Sequence, residues 1–130
     1  MKTIEQKFQF NASAVTIYNM LMDSEKHSAF TESECEISAE VDGAFTAYNG
    51  YINGKNVELV NGKKIVQPWT CTDFPHDHFS TLTFNLEDNS NGCELHFTQT
   101  NVPDNQYDAI NEGWFEHYWD KMEVYANEII

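Results

Sequence analysis

Residues 106–130 hold the longest periodic pattern in this sequence. Apolar and aromatic side chains recur there every three or four residues, a spacing that predicts one amphipathic helix. Its predicted apolar stripe consists of Tyr107, Ile110, Trp114, Tyr118, Met122, Tyr125 and Ile129. A helix of roughly 24 residues is about 36 Å long, about the width of a small domain. Another element must therefore cover the stripe.

The preceding sequence mostly alternates apolar and polar side chains, which is typical of half-buried β-strands. We predict a first strand over 4–10 and two short helices over 13–22 and 24–30. Further strands are predicted over 35–41, 45–49, 51–60, 64–71 and 78–87, with a last one from 93 to about 100. Asn-Gly pairs at 49–50 and 61–62 are strong signals for tight hairpins, so the sheet should be antiparallel. A bulge is expected at Asn53 and Gly54, and an irregular or edge position at Pro68.

This order predicts an α+β fold in one domain over residues 1–130: an antiparallel sheet of six to seven strands, two short helices after the first strand, and a long C-terminal helix. The sheet should cover the helical stripe.

Charge and hydropathy narrow the classes of partner. The chain has 130 residues, a formal net charge of −14, seven lysines and no arginine. Such a surface repels phosphate backbones, so nucleic acid and anionic membranes are not expected partners. A ligand should be neutral or cationic, although the charge could equally serve solubility. Because there is no apolar run of bilayer length and no charged-then-apolar leader, we expect a cytoplasmic protein.

No catalytic constellation is visible. Cys35, Cys71 and Cys93 form no paired motif and are expected to be buried, reduced thiols. Residues 76–78, with the sequence His-Asp-His, offer metal-ligating side chains, but a solvated loop explains them as well. The sequence has no nucleophile elbow, phosphate-binding glycine loop or dinucleotide fingerprint. We therefore expect neither an enzyme nor a cofactor.

Aromatic side chains suggest a binding site between sheet and helix. A curved sheet around a helix often encloses an apolar cavity, and pockets of that kind bind small molecules. The predicted cavity residues are Phe30, Trp69, Phe84, Phe97, Trp114, Tyr118 and Met122. Plain core packing is the competing interpretation of the same stripe. Gly113, unfavourable inside a helix, either lets the helix approach the sheet closely or leaves room for a ligand beside Trp114.

Several motifs together resemble a known family. They are Ala29-Phe30-Thr31, Gly43-x-Phe45, residues 50–54, Lys64-Ile65-Val66-x-x-Trp69, Phe74-Pro75-x-x-His78-x-Ser80-Thr81, Thr98-Gln99-Thr100-x-Val102-Pro103 and Gly113-Trp114 followed by Tyr118-Trp119. In this order they resemble the homology domain of the activator of heat-shock protein 90 ATPase, within the START-like helix-grip superfamily (SRPBCC). The resemblance covers the chain from about Ile4 to its end. It departs at Phe74, where relatives often carry tryptophan, and in the absence of arginine.

The resemblance implies a helix-grip fold, in which a curved antiparallel sheet wraps around the C-terminal helix. The aromatic stripe and the absence of catalytic groups favour a non-catalytic binding module, related to this domain, that takes an apolar small molecule. The alternative hypothesis is a co-chaperone that contacts a heat-shock protein 90 homologue. A cyclase or hydratase-type enzyme that uses His78, Tyr118 or Asp73 is the third hypothesis.

Overall fold

The computed structural model describes residues 1–129, and Ile130, the last residue of the predicted helix, lies outside them. Eight strands follow the chain: β1 Lys2–Phe10, β2 Glu36–Ile37, β3 Ala44–Ala47, β4 Ile52–Lys55, β5 Glu58–Val60, β6 Lys64–Cys71, β7 Ser80–Asn89 and β8 Gly92–Val102. Four α-helical segments accompany them: α1 Ala14–Met22, α2 Ser24–Thr31, α3 Tyr107–Trp114 and α4 Asp120–Ile129. A 3₁₀ turn, Asp104–Gln106, precedes α3, and a π-helical segment, Phe115–Trp119, joins α3 to α4.

The strands form one antiparallel sheet in the order β1-β8-β7-β6-β4-β3-β2, with β5 also paired to β6. The two longest strands, β7 and β8, are neighbours within the sheet and place Phe84 opposite Phe97. Alternate residues of these strands are buried beneath the helices, as a period of two requires. The predicted α+β helix-grip architecture is confirmed.

The predicted strand over residues 51–60 is wrong in one respect, because it is two strands. Asn56 separates β4 from β5 and is fully buried. Its side-chain amide donates to the carbonyls of Ser38 and Glu40 at 2.7 and 2.9 Å, and its Oδ1 accepts from Gln67 at 2.9 Å. Pro68 lies at the gap between the β4 and β5 pairings, where β6 does not need its missing N–H.

Two smaller expectations are also corrected. The bulge predicted at Asn53 and Gly54 is absent, because both residues pair in regular register with β3 and β6. Glycine is needed at 54 for a different reason, since a Cβ there would lie 2.1 Å from the Pro68 carbonyl oxygen. The strand predicted over 35–41 is reduced to β2, and Val41, at the predicted end, is exposed.

Side chains cap the N-termini of the two short helices. Ser13 Oγ accepts from the Thr16 backbone N–H at 3.2 Å, and Asp23 Oδ1 accepts from the Lys26 N–H at 3.0 Å. The buried face of α1 includes Ile17 and Leu21. No helix among the described residues has the length and hydropathy that a membrane span requires.

The C-terminal helix departs from regular α-helical geometry over residues 115–119. At the end of this segment the Asp120 N–H donates to the Phe115 carbonyl, five residues back, which is the π-helical step. The extra residue turns two adjacent aromatics, Tyr118 and Trp119, into the core together. The predicted stripe therefore misses Trp119 and also Ala126, both of which are fully buried. Its predicted member Ile129 is exposed.

Candidate functional site

An open groove of about 580 Å³ lies between the sheet and the first half of the C-terminal helix. Its sheet side consists of Tyr48, Tyr51, Ile52, Trp69 and Asp73, and its helix side of Gln106, Ala109, Ile110, Glu112, Gly113, Trp114, Glu116, His117 and Tyr118. We call this feature the helix–sheet groove. Its volume falls within the range of small-molecule sites, but it is partly open to solvent.

Aromatic rings form the floor of the groove. The ring centroid of Trp114 lies 6.0 Å from that of Trp69 and 4.8 Å from that of Tyr118. Trp119 stacks behind Trp114, with 5.4 Å between centroids and 16° between planes. Such contacts add to the stabilisation that burial itself provides. The floor is therefore backed by a further aromatic ring in the core.

Two glutamines of the sheet hold the two indoles of the C-terminal helix. Trp114 Nε1 donates to Gln99 Oε1 at 2.7 Å, and Trp119 Nε1 donates to Gln6 Oε1 at 2.7 Å. Gln99 in turn donates to Ser80 Oγ at 2.9 Å. A buried indole N–H without an acceptor lowers stability, so these two hydrogen bonds help to fix the position of the helix over the sheet.

We expect Gln99→Leu to lower the free energy of unfolding by about 1–3 kcal/mol, because it leaves the buried Trp114 indole N–H without an acceptor. Urea denaturation followed by tryptophan fluorescence measures this. Gln9→Leu is the control, since Gln9 is exposed and bonds only its neighbour's carbonyl and Asn89. Equal stability of the Gln99 variant and the parent would show that another acceptor reaches the indole.

His27 lies behind the groove, with 6% of its surface exposed. Nδ1 is 2.9 Å from the Leu21 carbonyl, which can only accept, so Nδ1 carries the proton. Nε2 must then accept from the Tyr118 hydroxyl, 2.9 Å away. Burial lowers the pKa of His27 to about 4, against the opposing effect of the Leu21 hydrogen bond. Burial also raises the pKa of Tyr118 well above its usual value. Both side chains are neutral near pH 7.

Two more tyrosines border the groove. Tyr51 donates to Asp73 Oδ2 at 2.5 Å, and Tyr48 donates to the His117 carbonyl at 3.0 Å. Burial, followed by the hydrogen bond to Asp73, raises the pKa of Tyr51. Burial, with Cys35 and Glu32 nearby, raises the pKa of Tyr48 to about 12. Neither phenol readily loses its proton near neutral pH.

Gly113 lies in the wall of the groove and is not there to permit close packing. A Cβ built on it would meet only His117 Cδ2, at 3.7 Å, which is ordinary contact. Of the two interpretations of this glycine, close approach to the sheet is therefore wrong. A side chain at this position would occupy groove space beside Trp114.

The structure divides the predicted cavity residues into two groups. Trp69, Trp114 and Tyr118 line the groove. Phe84, Phe97 and Met122 are buried in the core, and Phe30 packs against His27 with 4.9 Å between ring centroids. The enclosed space that borders Phe84, Trp114 and Tyr118 has a volume of only about 20 Å³, enough for about one water molecule.

The side chains considered for catalysis and metal binding do not converge. Asp73 and Tyr118 both border the groove, whereas His78 Nε2 is 2.9 Å from the Asn101 carbonyl and lies outside it. His76 and Asp77 pair with each other at 3.3 Å in solvent. Within residues 1–129, no cluster of three or more metal-ligating side chains occurs. The three cysteines are free and buried, as predicted.

Sequence reasoning did not single out Gln6 or His27, and it named Gln99 and Trp119 only as parts of family motifs, with no role in the site. A signal existed for the glutamines: each alternates in phase with buried residues of its strand, as Gln99 does with Phe97 and Leu95. No signal could have found the partner of His27, which lies 91 residues away on another element.

Comparison with known proteins places this architecture in context. The sequence profile described as "Activator of Hsp90 ATPase homolog 1-like protein" matches residues 11–127. The chain is 32% identical over 123 residues to the Activator of 90 kDa heat shock protein ATPase homolog of Dictyostelium discoideum, covering 93% of this chain and 32% of that protein. It is 27% identical over 117 residues to Activator of 90 kDa heat shock protein ATPase homolog 1 of Homo sapiens, covering 90% and 35%. The chain thus spans about a third of the length of these curated relatives.

A solved structure shares the fold over nearly the whole chain. The crystal structure of an HSP90 activator from Plasmodium falciparum superposes with a TM-score of 0.87 at 23% sequence identity. The superposition covers 95% of both chains.

Proposed function

The chain belongs to the family of activator of Hsp90 ATPase homolog 1-like proteins, and from this premise we propose that it is a non-catalytic binding module whose binding site is the helix–sheet groove. The observation that carries the proposal is Gly113. A glycine in a helix interior lowers helix stability by about 1 kcal/mol relative to alanine. Here no packing contact requires it, and its missing side chain leaves space in the groove.

The form of the groove supports a polypeptide occupant over a small apolar molecule. Pockets for small molecules bury most of the ligand surface, whereas this groove is open, and the enclosed space behind it is about 20 Å³. A segment of another protein can lie along an open groove and place its side chains on the aromatic floor. A small apolar ligand remains the competing occupant, and native mass spectrometry after incubation with apolar compounds tests it.

Family membership supports an Hsp90 homologue as the partner. The Dictyostelium relative is described as an activator of the 90 kDa heat shock protein ATPase, and so is the human one. In our proposal the domain contributes a binding surface and the partner performs the ATP hydrolysis. This part rests on likeness to proteins about three times as long, so it is tested separately from the groove.

Substitution of Gly113 should separate stability from binding. Gly113→Ala is expected to raise the free energy of unfolding by about 1 kcal/mol, since the new Cβ fits without strain. Gly113→Leu should fold equally well but fill the groove beside Trp114, weakening binding to an Hsp90 homologue about tenfold or more. Thermal unfolding gives the first quantity and isothermal titration calorimetry the second.

Val124→Leu is the matched control, because Val124 is exposed on α4 away from the groove. It should leave both quantities unchanged. Undiminished binding by a well-folded Gly113→Leu protein would show that the groove is not the binding site. Failure of the parent protein to bind the Hsp90 homologue, or to change its ATPase rate, would remove that partner.

A further inference from the structure

Four aromatic hydrogen-bond donors of the helix–sheet groove are already satisfied by the protein itself. Four aromatic side chains of its lining donate to acceptors within the fold: Tyr48 to the His117 carbonyl, Tyr51 to Asp73, Tyr118 to His27 and Trp114 to Gln99. These hydroxyl and indole groups are therefore not free to donate to a ligand, and Tyr51, 40% exposed, presents the most accessible ring of the lining. The electron-rich faces of aromatic rings attract cations.

Carboxylates border the same aromatic floor. Asp73 lies on the sheet side, and Glu112 and Glu116 lie on the helix side. None of the residues that line the groove is a lysine, and across residues 1–129 none of these three carboxylates forms a salt bridge. Glu112 and Glu116 are four residues apart on the helix, a spacing at which like charges repel. A bound cation would relieve this repulsion.

We propose that the groove binds an extended, lysine-bearing segment of a partner protein, whose ammonium groups lie between Glu112, Glu116 and Asp73. This inference rests on the proposed function, because it names the chemistry of the occupant of the same site. The long aliphatic stem of lysine can lie on the apolar floor while its ammonium group reaches the carboxylates at the border. The ammonium donates three hydrogen bonds and accepts none, which complements a surface of acceptors.

The net charge of the whole chain also favours a cationic occupant. A net charge of −14 attracts cationic segments over a distance and repels acidic ones. The open groove favours a peptide segment over a free small cation, because apolar side chains of the segment can contact the floor of the groove between its lysines. The groove thus selects segments that carry both positive charge and apolar side chains.

The test uses the full chain and a synthetic probe. The probe is a hexapeptide with blocked ends in which lysine alternates with leucine, compared with the same peptide carrying glutamate for lysine and with free spermidine. Chemical shifts of the Gly113 amide and the Trp114 indole N–H locate binding, and titration gives Kd. We expect saturable binding of the lysine peptide with shifts at both groups, no saturable binding of the glutamate peptide, and much weaker binding of spermidine.

A pair of double variants distinguishes the groove from overall charge. Glu112→Gln with Glu116→Gln should weaken binding of the lysine peptide about tenfold or more, as loss of charge-assisted hydrogen bonds requires. Glu5→Gln with Glu87→Gln makes the same change in net charge at exposed sites on β1 and β7, and should alter Kd less than about twofold. Equal weakening by both pairs, absence of saturable binding, or spermidine binding as tight as the peptide would each overturn the proposal.

The outcome of this test can be distinguished from a failure of the proposed function. If Gly113→Leu abolishes binding of the Hsp90 homologue while Glu112→Gln with Glu116→Gln leaves that binding unchanged, the groove remains a binding site and the cationic occupant is wrong. If the lysine peptide binds and the Hsp90 homologue does not, the partner is wrong and the chemistry of the site stands.

Discussion

Replacement of Trp119 with alanine is expected to lower the free energy of unfolding by about 3–5 kcal/mol, a large share of the stability of a domain of this size. Trp119 is fully buried, and its ring centroid lies 5.2 Å from that of Phe97 and 5.4 Å from that of Trp114. Its removal leaves a cavity at the centre of the helix–sheet contact. It also leaves Gln6 Oε1 without the indole donor that it accepts from at 2.7 Å. Equilibrium urea denaturation followed by circular dichroism measures the loss.

Phe115→Ala is the control for this substitution. Phe115 belongs to the same π-helical segment and is also aromatic, but 37% of its surface is exposed. Its loss should lower the free energy of unfolding by about 1 kcal/mol or less. If the two alanine variants unfold at the same denaturant concentration, Trp119 does not hold the helix to the sheet in the way described.

The second large effect is loss of stability in acid through His27. The unfolded chain binds a proton at His27 with a pKa near 6.5, whereas the folded chain does so only near pH 4. Between these values the unfolded state holds more protons, so stability is complete above pH 6.5 and falls as the pH drops towards 4. The difference in pKa corresponds to about 3 kcal/mol. Protonation would also make Nε2 a donor and deprive the Tyr118 hydroxyl of its acceptor.

The measurement is the free energy of unfolding from pH 7 to pH 4 for the parent and for His27→Gln. The variant should be less stable than the parent at pH 7, because it loses a buried hydrogen bond, and the difference should close by about 3 kcal/mol at pH 4. His76→Gln is the control, since the His76 side chain is 95% exposed, and it should follow the parent throughout. Parallel pH profiles for the parent and the His27 variant would contradict this origin of acid sensitivity.

The sheet and the position of the long helix were predictable because each depends on local periodicity. Period-two alternation identified β6, β7 and β8, and the Asn-Gly pair at 61–62 identified the turn between β5 and β6. Asn56 was harder, since a polar side chain inside a predicted strand carries no local sign that it will be buried and bonded to a distant loop. Its partners, the Ser38 and Glu40 carbonyls, are set by tertiary structure.

The candidate site was predicted less completely, for a physical reason that the long helix illustrates. Analysis at a constant 3.6 residues per turn aligns Trp114, Tyr118 and Met122, and all three are buried. It cannot place Trp119 on the same face, because that requires one turn of different pitch. The adjacent pair Tyr118 and Trp119 was the available signal. How far a sheet closes over a helix depends on side-chain volumes in three dimensions, so periodicity alone did not distinguish a closed cavity from an open groove.

The π-helical turn holds one residue more than a regular α-helical turn would over the same stretch. Deleting one residue between 115 and 119 would therefore let a regular α-helical turn join α3 to α4, with Trp114 and Met122 still facing the sheet. Such a deletion would instead remove the wide turn that lets both Tyr118 and Trp119 reach the core, since consecutive residues of a regular α-helix point about 100° apart. The extra residue thus serves the paired aromatic packing rather than the alignment of the two halves of the helix.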